Sequence, residues 1–353
     1  MIKGWLFLLG AILFSFINVF GQLREPGNTY VDWDKIKIDS SYVPAKEDTS
    51  IIIITNRKFE NTKHIKFSHD LQQEEKIHYL VAYWKNNEWI ITCKNDFEQT
   101  THSLTFHDDV LLYVHGDGKR FTDVLEAGIR MKKLYSVSYI AFDWPTRVDG
   151  LSSMENFYTS KKKLKRSKKC FEKFMLDFQS YRRNYEIDDR NYTLLLHSLG
   201  NEFMRQYILS DAEKPSDILF DNIIMNAPAV KQRKHAKWVQ KINFQKSIYI
   251  TSNKRDFVLT GAKLITLQNQ LGEKYRKPLA KNAEYIKFDI IAGRKHNYFL
   301  DMELLNTHSN IYQFYNTLFH SNEIEPANHC ILNNNNPKRK ELVFHPDSSC
   351  RRN

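Results

Sequence analysis

The chain has 353 residues, 42% of them hydrophobic and 13% aromatic. That is enough apolar material to bury one large core, which excludes a chain too polar to fold and favours one domain with appendages. The formal charge of +11 points to acidic surfaces such as anionic lipid, polysaccharide or nucleic acid, and constrains the partner rather than the fold.

In chain order, the first 21 residues have the layout of an export signal. Lys3 supplies the positive start, Trp5 to Phe20 is apolar and uncharged, and Val19-Phe-Gly-Gln22 offers a small-residue cleavage point after Gly21. The apolar stretch is shorter than the ~20 residues a membrane span needs, so cleavage is expected in preference to an uncleaved anchor, with the mature protein starting at Gln22. The four cysteines fit an exported protein loosely. Cys93 and Cys170 are isolated, Cys330 and Cys350 could close a loop in the tail, and none has metal-ligand spacing.

Residues 22–50 are polar and turn-rich and read as a lead-in loop, followed by a domain over 51–321. Ile51–Thr55 and His78–Trp84 are strand-like, and the turn Lys85-Asn-Asn-Glu88 returns the chain through Trp89–Cys93 as a β-hairpin. From Val110 the rhythm becomes strand, loop, helix. The strands are Val110–Val114, Val137–Phe142, Thr193–Leu196, Asn222–Met225, Ser247–Thr251 and Tyr285–Ile291, with no internal repeat. This alternation predicts an α/β fold, a doubly wound and mostly parallel sheet covered by helices on both faces, with its chemistry at the carboxyl ends of the strands.

The strand ends carry the candidate chemistry. His115-Gly-Asp-Gly118 follows the first of these strands and leads into a helix, for which Thr122 is a candidate cap. At Leu196-His-Ser-Leu-Gly200 an apolar strand stops at a serine and a glycine before helical spacing resumes, which reads as a sharp turn with Ser198 at its tip. Asp256 follows the strand ending near Thr251, and His296 follows the one ending near Ile291. A serine hydroxyl needs a base within reach, and an imidazole base needs a carboxylate to fix its tautomer, so Ser198, His296 and Asp256 suit the roles of nucleophile, base and orienting acid.

The combination Leu112-Tyr-Val-His-Gly116, Phe142-Asp-Trp-Pro145, Leu196-His-Ser-Leu-Gly-Asn201 and Lys295-His-Asn-Tyr-Phe299 resembles the poorly characterised bacterial α/β-hydrolases with a Trp-Pro motif, over about Val110 to Phe319. The resemblance implies the α/β-hydrolase fold and a serine hydrolase of unspecified substrate. In that superfamily the loop after the first core strand and the residue after the nucleophile supply the oxyanion hole, which here assigns it to the backbone N–H groups of Asp117 and Leu199. The chain departs from the usual Gly-x-Ser-x-Gly at its first position, where the bulky Leu196 stands.

Ser198 could instead be a plain helix cap. Asp143 and Glu202 are rival acids and His308 and His235 rival bases, His308 within an apparent helix over Leu300–Leu318. His197 adjoins the nucleophile but should point away from it. Lys161–Lys169 reads as the solvated start of a helix or as a surface for an anionic envelope component. Nucleic acid is not expected, because no aromatics interleave the run. Residues 322–353 read as a loosely ordered polar tail. The sequence thus predicts an exported serine hydrolase that cleaves a small-molecule or lipid-like ester or thioester through an acyl-enzyme, with no cofactor and no metal. An inactive binding or scaffold module of the same fold at the cell envelope is the alternative.

Overall fold

A computed structural model of the chain describes residues 33–45, 48–60, 66–72, 75–102, 108–184, 189–321, 324, 331–333 and 341–345. The export signal expected over residues 1–21, and Cys330 and Cys350, lie outside the described residues. The amino-terminal part forms β1 (Ile36–Ile38), β2 (Thr49–Thr55), β3 (Arg57–Phe59), β4 (Phe67–Leu71), β5 (His78–Lys85), β6 (Glu88–Lys94) and α1 (Phe97–Thr101). The central part runs β7 (Val110–Val114), α2 (Phe121–Tyr135), β8 (Ser138–Asp143), α3 (Ser153–Asn184), β9 (Tyr192–His197) and α4 (Asn201–Leu209). It continues with β10 (Phe220–Asn226), α5 (His235–Val239), β11 (Gln245–Ser252), α6 (Phe257–Thr266) and β12 (Glu284–Lys287). The helices α7 (Met302–Thr307) and α8 (Ser309–Phe319) and the strands β13 (Ile331–Asn333) and β14 (Glu341–Phe344) complete it.

Twelve of these strands form one sheet in the order β1-β6-β5-β2-β8-β7-β9-β10-β11-β12-β14-β13, and β3 and β4 make a separate ribbon. Every neighbouring pair from β2 to β14 is parallel. The expected hairpin, β5 with β6, is antiparallel and joins the sheet through β2. Strands β7, β9 and β10 are buried along their whole length, as strands covered on both faces must be. The chain moves from β7 to β8 on one side and then returns to place β9 on the other. The crevice between the carboxyl ends of β7 and β9 is therefore the point where the winding reverses, the position where such sheets hold their ligands.

Several elements differ from the sequence expectation. The lead-in contains β1, which pairs parallel with β6 and buries Ile36. The strand expected over Tyr285–Ile291 ends at Lys287, because Ile291 and Ala292 turn back to the Phe288 carbonyl. Helix α2 is capped at Arg120, whose N–H bonds Asp123 Oδ2 at 2.7 Å, rather than at Thr122. The helix expected over Leu300–Leu318 breaks at His308, whose φ of −132° and ψ of 85° leave the helical region. The apolar spacing continues across that break, so the pattern conceals it.

The tail is not uniformly loose. Strand β14 pairs parallel with β12, with Ile286 opposite Leu342, and the Phe344 ring lies 4.6 Å from Phe288 and 5.1 Å from Phe314. The run Lys161–Lys169 sits inside α3 rather than at its start. Lys163 is buried and donates to the His69 carbonyl, Leu164 and Ser167 face the core, and Lys168 and Lys169 pair with Glu172.

Candidate active site

Strand β9 ends at His197, and Ser198 takes the tight turn into α4 with φ of +51°, the left-handed region that non-glycine residues rarely adopt. The strain is held by specific contacts. The Ser198 carbonyl accepts from the Ala229 amide at 3.1 Å and from Asn201 Nδ2 at 3.0 Å, and Asn201 Nδ2 also reaches the Leu196 carbonyl at 3.0 Å. Gly200 must be glycine, because a Cβ there would lie 2.6 Å from the Val114 carbonyl oxygen and 2.7 Å from that of His115. Leu196 does not loosen this turn. It is buried within β9, opposite Val114 and Met225, and the close approach occurs four residues later.

The loop after β7 runs directly against the serine. A Cβ on Gly116 would come within 2.7 Å of Ser198 Cβ and 3.3 Å of its Oγ, so a side chain at 116 would occupy the space above the hydroxyl. Asp117 follows in the same loop, and its carboxyl, raised by burial, takes a hydrogen bond from Ser160. Leu199 follows Ser198 in the short helical turn Ser198–Gly200 that leads into α4.

Asp256 and His296 come together from two neighbouring strand ends. Asp256 caps α6: its Oδ1 accepts from the Leu259 amide at 3.0 Å, leaving Oδ2 for His296 Nδ1 at 2.6 Å and the Tyr298 hydroxyl at 3.2 Å. A fully buried carboxylate is stable only when its lone pairs are taken up in this way. Because the carboxylate can only accept, Nδ1 carries the ring proton and Nε2 is the basic nitrogen. That nitrogen is buried and makes no hydrogen bond among the described residues.

His197 joins the two halves. Its ring does not turn away from the site. It lies 4.7 Å from the His296 ring and 5.4 Å from Phe299. Asn226 Nδ2 bonds His197 Nδ1 at 3.1 Å, while Asn226 Oδ1 accepts from Thr251 at 3.2 Å and from the Tyr315 hydroxyl. Burial, with a smaller electrostatic contribution from the neighbouring His296, pushes the His197 imidazole well below its usual range, so it is a neutral ring beside His296.

The rival residues are engaged elsewhere. Asp143 binds Arg57, Thr55 and His115, and Glu202 binds Arg205 and Gln206 on its own helix. His235 is closed between the Gln232 carbonyl and the Tyr285 hydroxyl, and His308 sits at the junction of α7 and α8. Sequence reasoning did not single out Tyr298, Asn201 or Arg57. The first two lay within the motifs Lys295-His-Asn-Tyr-Phe299 and Leu196-His-Ser-Leu-Gly-Asn201, whereas nothing in the sequence marked Arg57.

The sheet order, the winding reversal and the turn at Ser198 together define the α/β-hydrolase fold. Residues 94–287, more than half of the chain, match the family described as alpha/beta hydrolase of unknown function (DUF900), and the chain belongs to that family. Among solved structures it is similar to MGS-M1, an alpha/beta hydrolase enzyme from a Medee basin deep-sea metagenome library, at 11% identity and a TM-score of 0.31, covering 69% of this chain and 88% of that one. A comparison with curated proteins found no match.

Proposed function

We propose that this chain is a serine hydrolase that cleaves an ester or thioester through a covalent acyl-enzyme. The observation that carries the reading is the histidine whose Nδ1 is bound to a buried carboxylate, whose Nε2 has no partner among the described residues and whose ring lies 4.7 Å from that of His197, the residue before a serine held at positive φ. In the first step Ser198 Oγ attacks the carbonyl carbon while His296 Nε2 takes its proton. The carbonyl π pair moves to oxygen, where the backbone N–H groups of Asp117 and Leu199 receive it. Collapse of this intermediate expels the alcohol or thiol, which takes the proton from His296, and water then repeats the sequence to release the acid. Asp256 keeps the ring in the tautomer that leaves Nε2 basic and stabilises the imidazolium that forms.

A fluorophosphonate probe tests the reading. Stoichiometric labelling on Ser198, abolished in Ser198→Ala, supports it, and hydrolysis of p-nitrophenyl esters of graded chain length then reports the acyl preference. A folded protein that neither takes the label nor cleaves any of these esters is a binding module instead. We further propose that the protein is exported by residues 1–21, in which case protein recovered from its host begins at or near Gln22. Recovery of a membrane-bound form starting at Met1 favours an anchor.

A further inference from the structure

The loop that carries the proposed oxyanion amide of Asp117 is clamped at both ends by buried polar groups. At its start His115 Nδ1 lies 2.7 Å from the carbonyl oxygen of Gly116. A carbonyl only accepts, so Nδ1 bears a proton and donates to it, whatever the state of the other ring nitrogen. The Gly116 carbonyl and the Asp117 N–H belong to the same planar trans peptide and point in opposite directions. Fixing the oxygen therefore fixes the direction of the N–H.

His115 is itself held on every side. Its Nε2 lies 3.1 Å from Asp143 Oδ1 and 3.1 Å from the Trp144 amide, its ring stacks on Trp144 at 5.6 Å and 9°, and its carbonyl accepts from Trp144 Nε1 at 3.0 Å. Asp143 in turn is gripped by Arg57, whose Nε reaches Oδ2 at 2.8 Å and whose Nη2 reaches Oδ1 at 2.9 Å, with Thr55 donating to Oδ2 at 2.6 Å. Burial alone would raise the Asp143 carboxyl. The Arg57 guanidinium and His115 outweigh it and hold the group well below the usual carboxylate range.

The same guanidinium closes the far end of the loop. Arg57 Nη2 also donates to the Lys119 carbonyl at 3.0 Å and the Trp144 carbonyl at 2.9 Å. Arg57 is fully buried, yet it stands outside residues 94–287, on the ribbon strand that follows β2. A buried bidentate ion pair is costly to desolvate and is weak evidence for stability as such. Its contacts, with the carboxylate that meets His115 and with the Lys119 carbonyl at the end of the loop, give it a different use.

We propose that Arg57, Asp143 and His115 form a brace that aims the Asp117 amide at the oxyanion, with His115 and Arg57 as positioning residues. This rests on the serine-hydrolase reading. An amide aimed before the reaction costs no reorganisation when charge develops on the substrate oxygen, and losing one such donor typically reduces turnover by about 100- to 1,000-fold.

The test pairs two substitutions at one position. The amide nitrogen of Asn can take the place of Nδ1, and that of Gln the place of Nε2. His115→Asn therefore keeps a donor for Gly116, whereas His115→Gln keeps the reach to Asp143 and loses that donor. Hydrolysis of p-nitrophenyl butyrate is expected to show kcat lowered about 100-fold in His115→Gln with little change in KM, and a loss at least tenfold smaller in His115→Asn. Affinity for an alkyl trifluoromethyl ketone, which forms a tetrahedral oxyanion on Ser198, should fall in step with kcat/KM. Hydrogen exchange over residues 115–120 should quicken in His115→Gln and less in His115→Asn, a readout that needs no activity. Equal losses in the two variants, or His115→Gln within threefold of wild type, overturn the brace while wild-type labelling of Ser198 leaves the hydrolase reading standing. Wild type that is neither labelled nor active overturns both, even where the exchange difference survives.

Discussion

The pairs His320–Asp109 and His296–Asp256 stand at opposite ends of the sheet, and their difference explains why only the second of the two lies in a candidate active site. At the amino-terminal end of β7, His320 places Nδ1 2.7 Å from Asp109 Oδ2 and Nε2 2.9 Å from the Tyr135 carbonyl, so both ring nitrogens face acceptors. Asp109 also receives the amide and side chain of Asn191. Beyond the carboxyl ends of β11 and β12, His296 makes the same bond to Asp256 at 2.6 Å but, among the described residues, leaves Nε2 without a partner. The first pair is complete and can only hold elements together. The second retains one ring nitrogen without a partner among the described residues, and that remaining valence, rather than the pairing itself, is what the proposed function draws on.

The comparison breaks most visibly at the serine. Ser198→Ala should reduce turnover on the order of a million-fold, as loss of a nucleophile does, with Tm nearly unchanged because the turn is held by backbone contacts. Activity within tenfold of wild type on p-nitrophenyl esters would sink the assignment.

Next are the two acids. Asp256→Asn keeps a side-chain oxygen to cap Leu259 but presents the wrong partner to Nδ1, and should cost about 10,000-fold in kcat. Asp109→Asn should leave kcat within about twofold and instead lower Tm. If the two variants behaved alike in steady-state kinetics, the distinction between an open and a closed pair would be wrong.

The bases sharpen it further. His296→Ala should abolish ester hydrolysis with a modest change in melting, and His320→Ala should do the reverse, destabilising by about 1–3 kcal/mol through the unsatisfied Asp109 and Tyr135 acceptors. Urea titration alongside initial rates separates the two patterns.

The smallest effect concerns pH. The hydrogen bond to Asp109 raises the His320 pKa above its unfolded value, so its contribution is fully present below about pH 6.5 and is lost as pH rises through the folded value. Burial lowers the pKa of His197, so its contribution is present above about pH 6.5 and is lost as pH falls. The Tm gap between wild type and His320→Gln should therefore narrow from pH 5.5 to pH 8.5, and that for His197→Gln should narrow in the opposite direction, each by about 1–3 °C. Slopes of the same sign in differential scanning calorimetry would contradict this account.

These contrasts were only partly legible in the sequence. The serine turn and the order Ser198, Asp256, His296 could be read because each follows a β-rich run whose end is marked by local polar residues, and Asp256 and His296 do pair, with the His296 ring against His197, the residue before Ser198. His320 and Asp109 lie 211 positions apart, and Arg57 and Asp143 lie 86 apart, so their pairing is a product of topology with no local signature. The tail misled for a different reason. Leu342, Val343 and Phe344 are a short apolar run in polar surroundings, too brief to announce a strand, and they find their place only because β12 and Phe288 leave an edge for them.

Among the described residues the large sheet ends on both sides in three-residue strands, Ile36–Ile38 and Ile331–Asn333, drawn from the two extremities of the polypeptide. An outermost strand offers unpaired N–H and C=O groups to any passing chain, and a short one offers few. Trimming the amino-terminal extremity would uncover β6, seven residues long with Trp89 and Ile91 in its apolar interior, and turn a blunt border into a template for self-association. The segments easiest to regard as dispensable are thus the molecule's protection against aggregation.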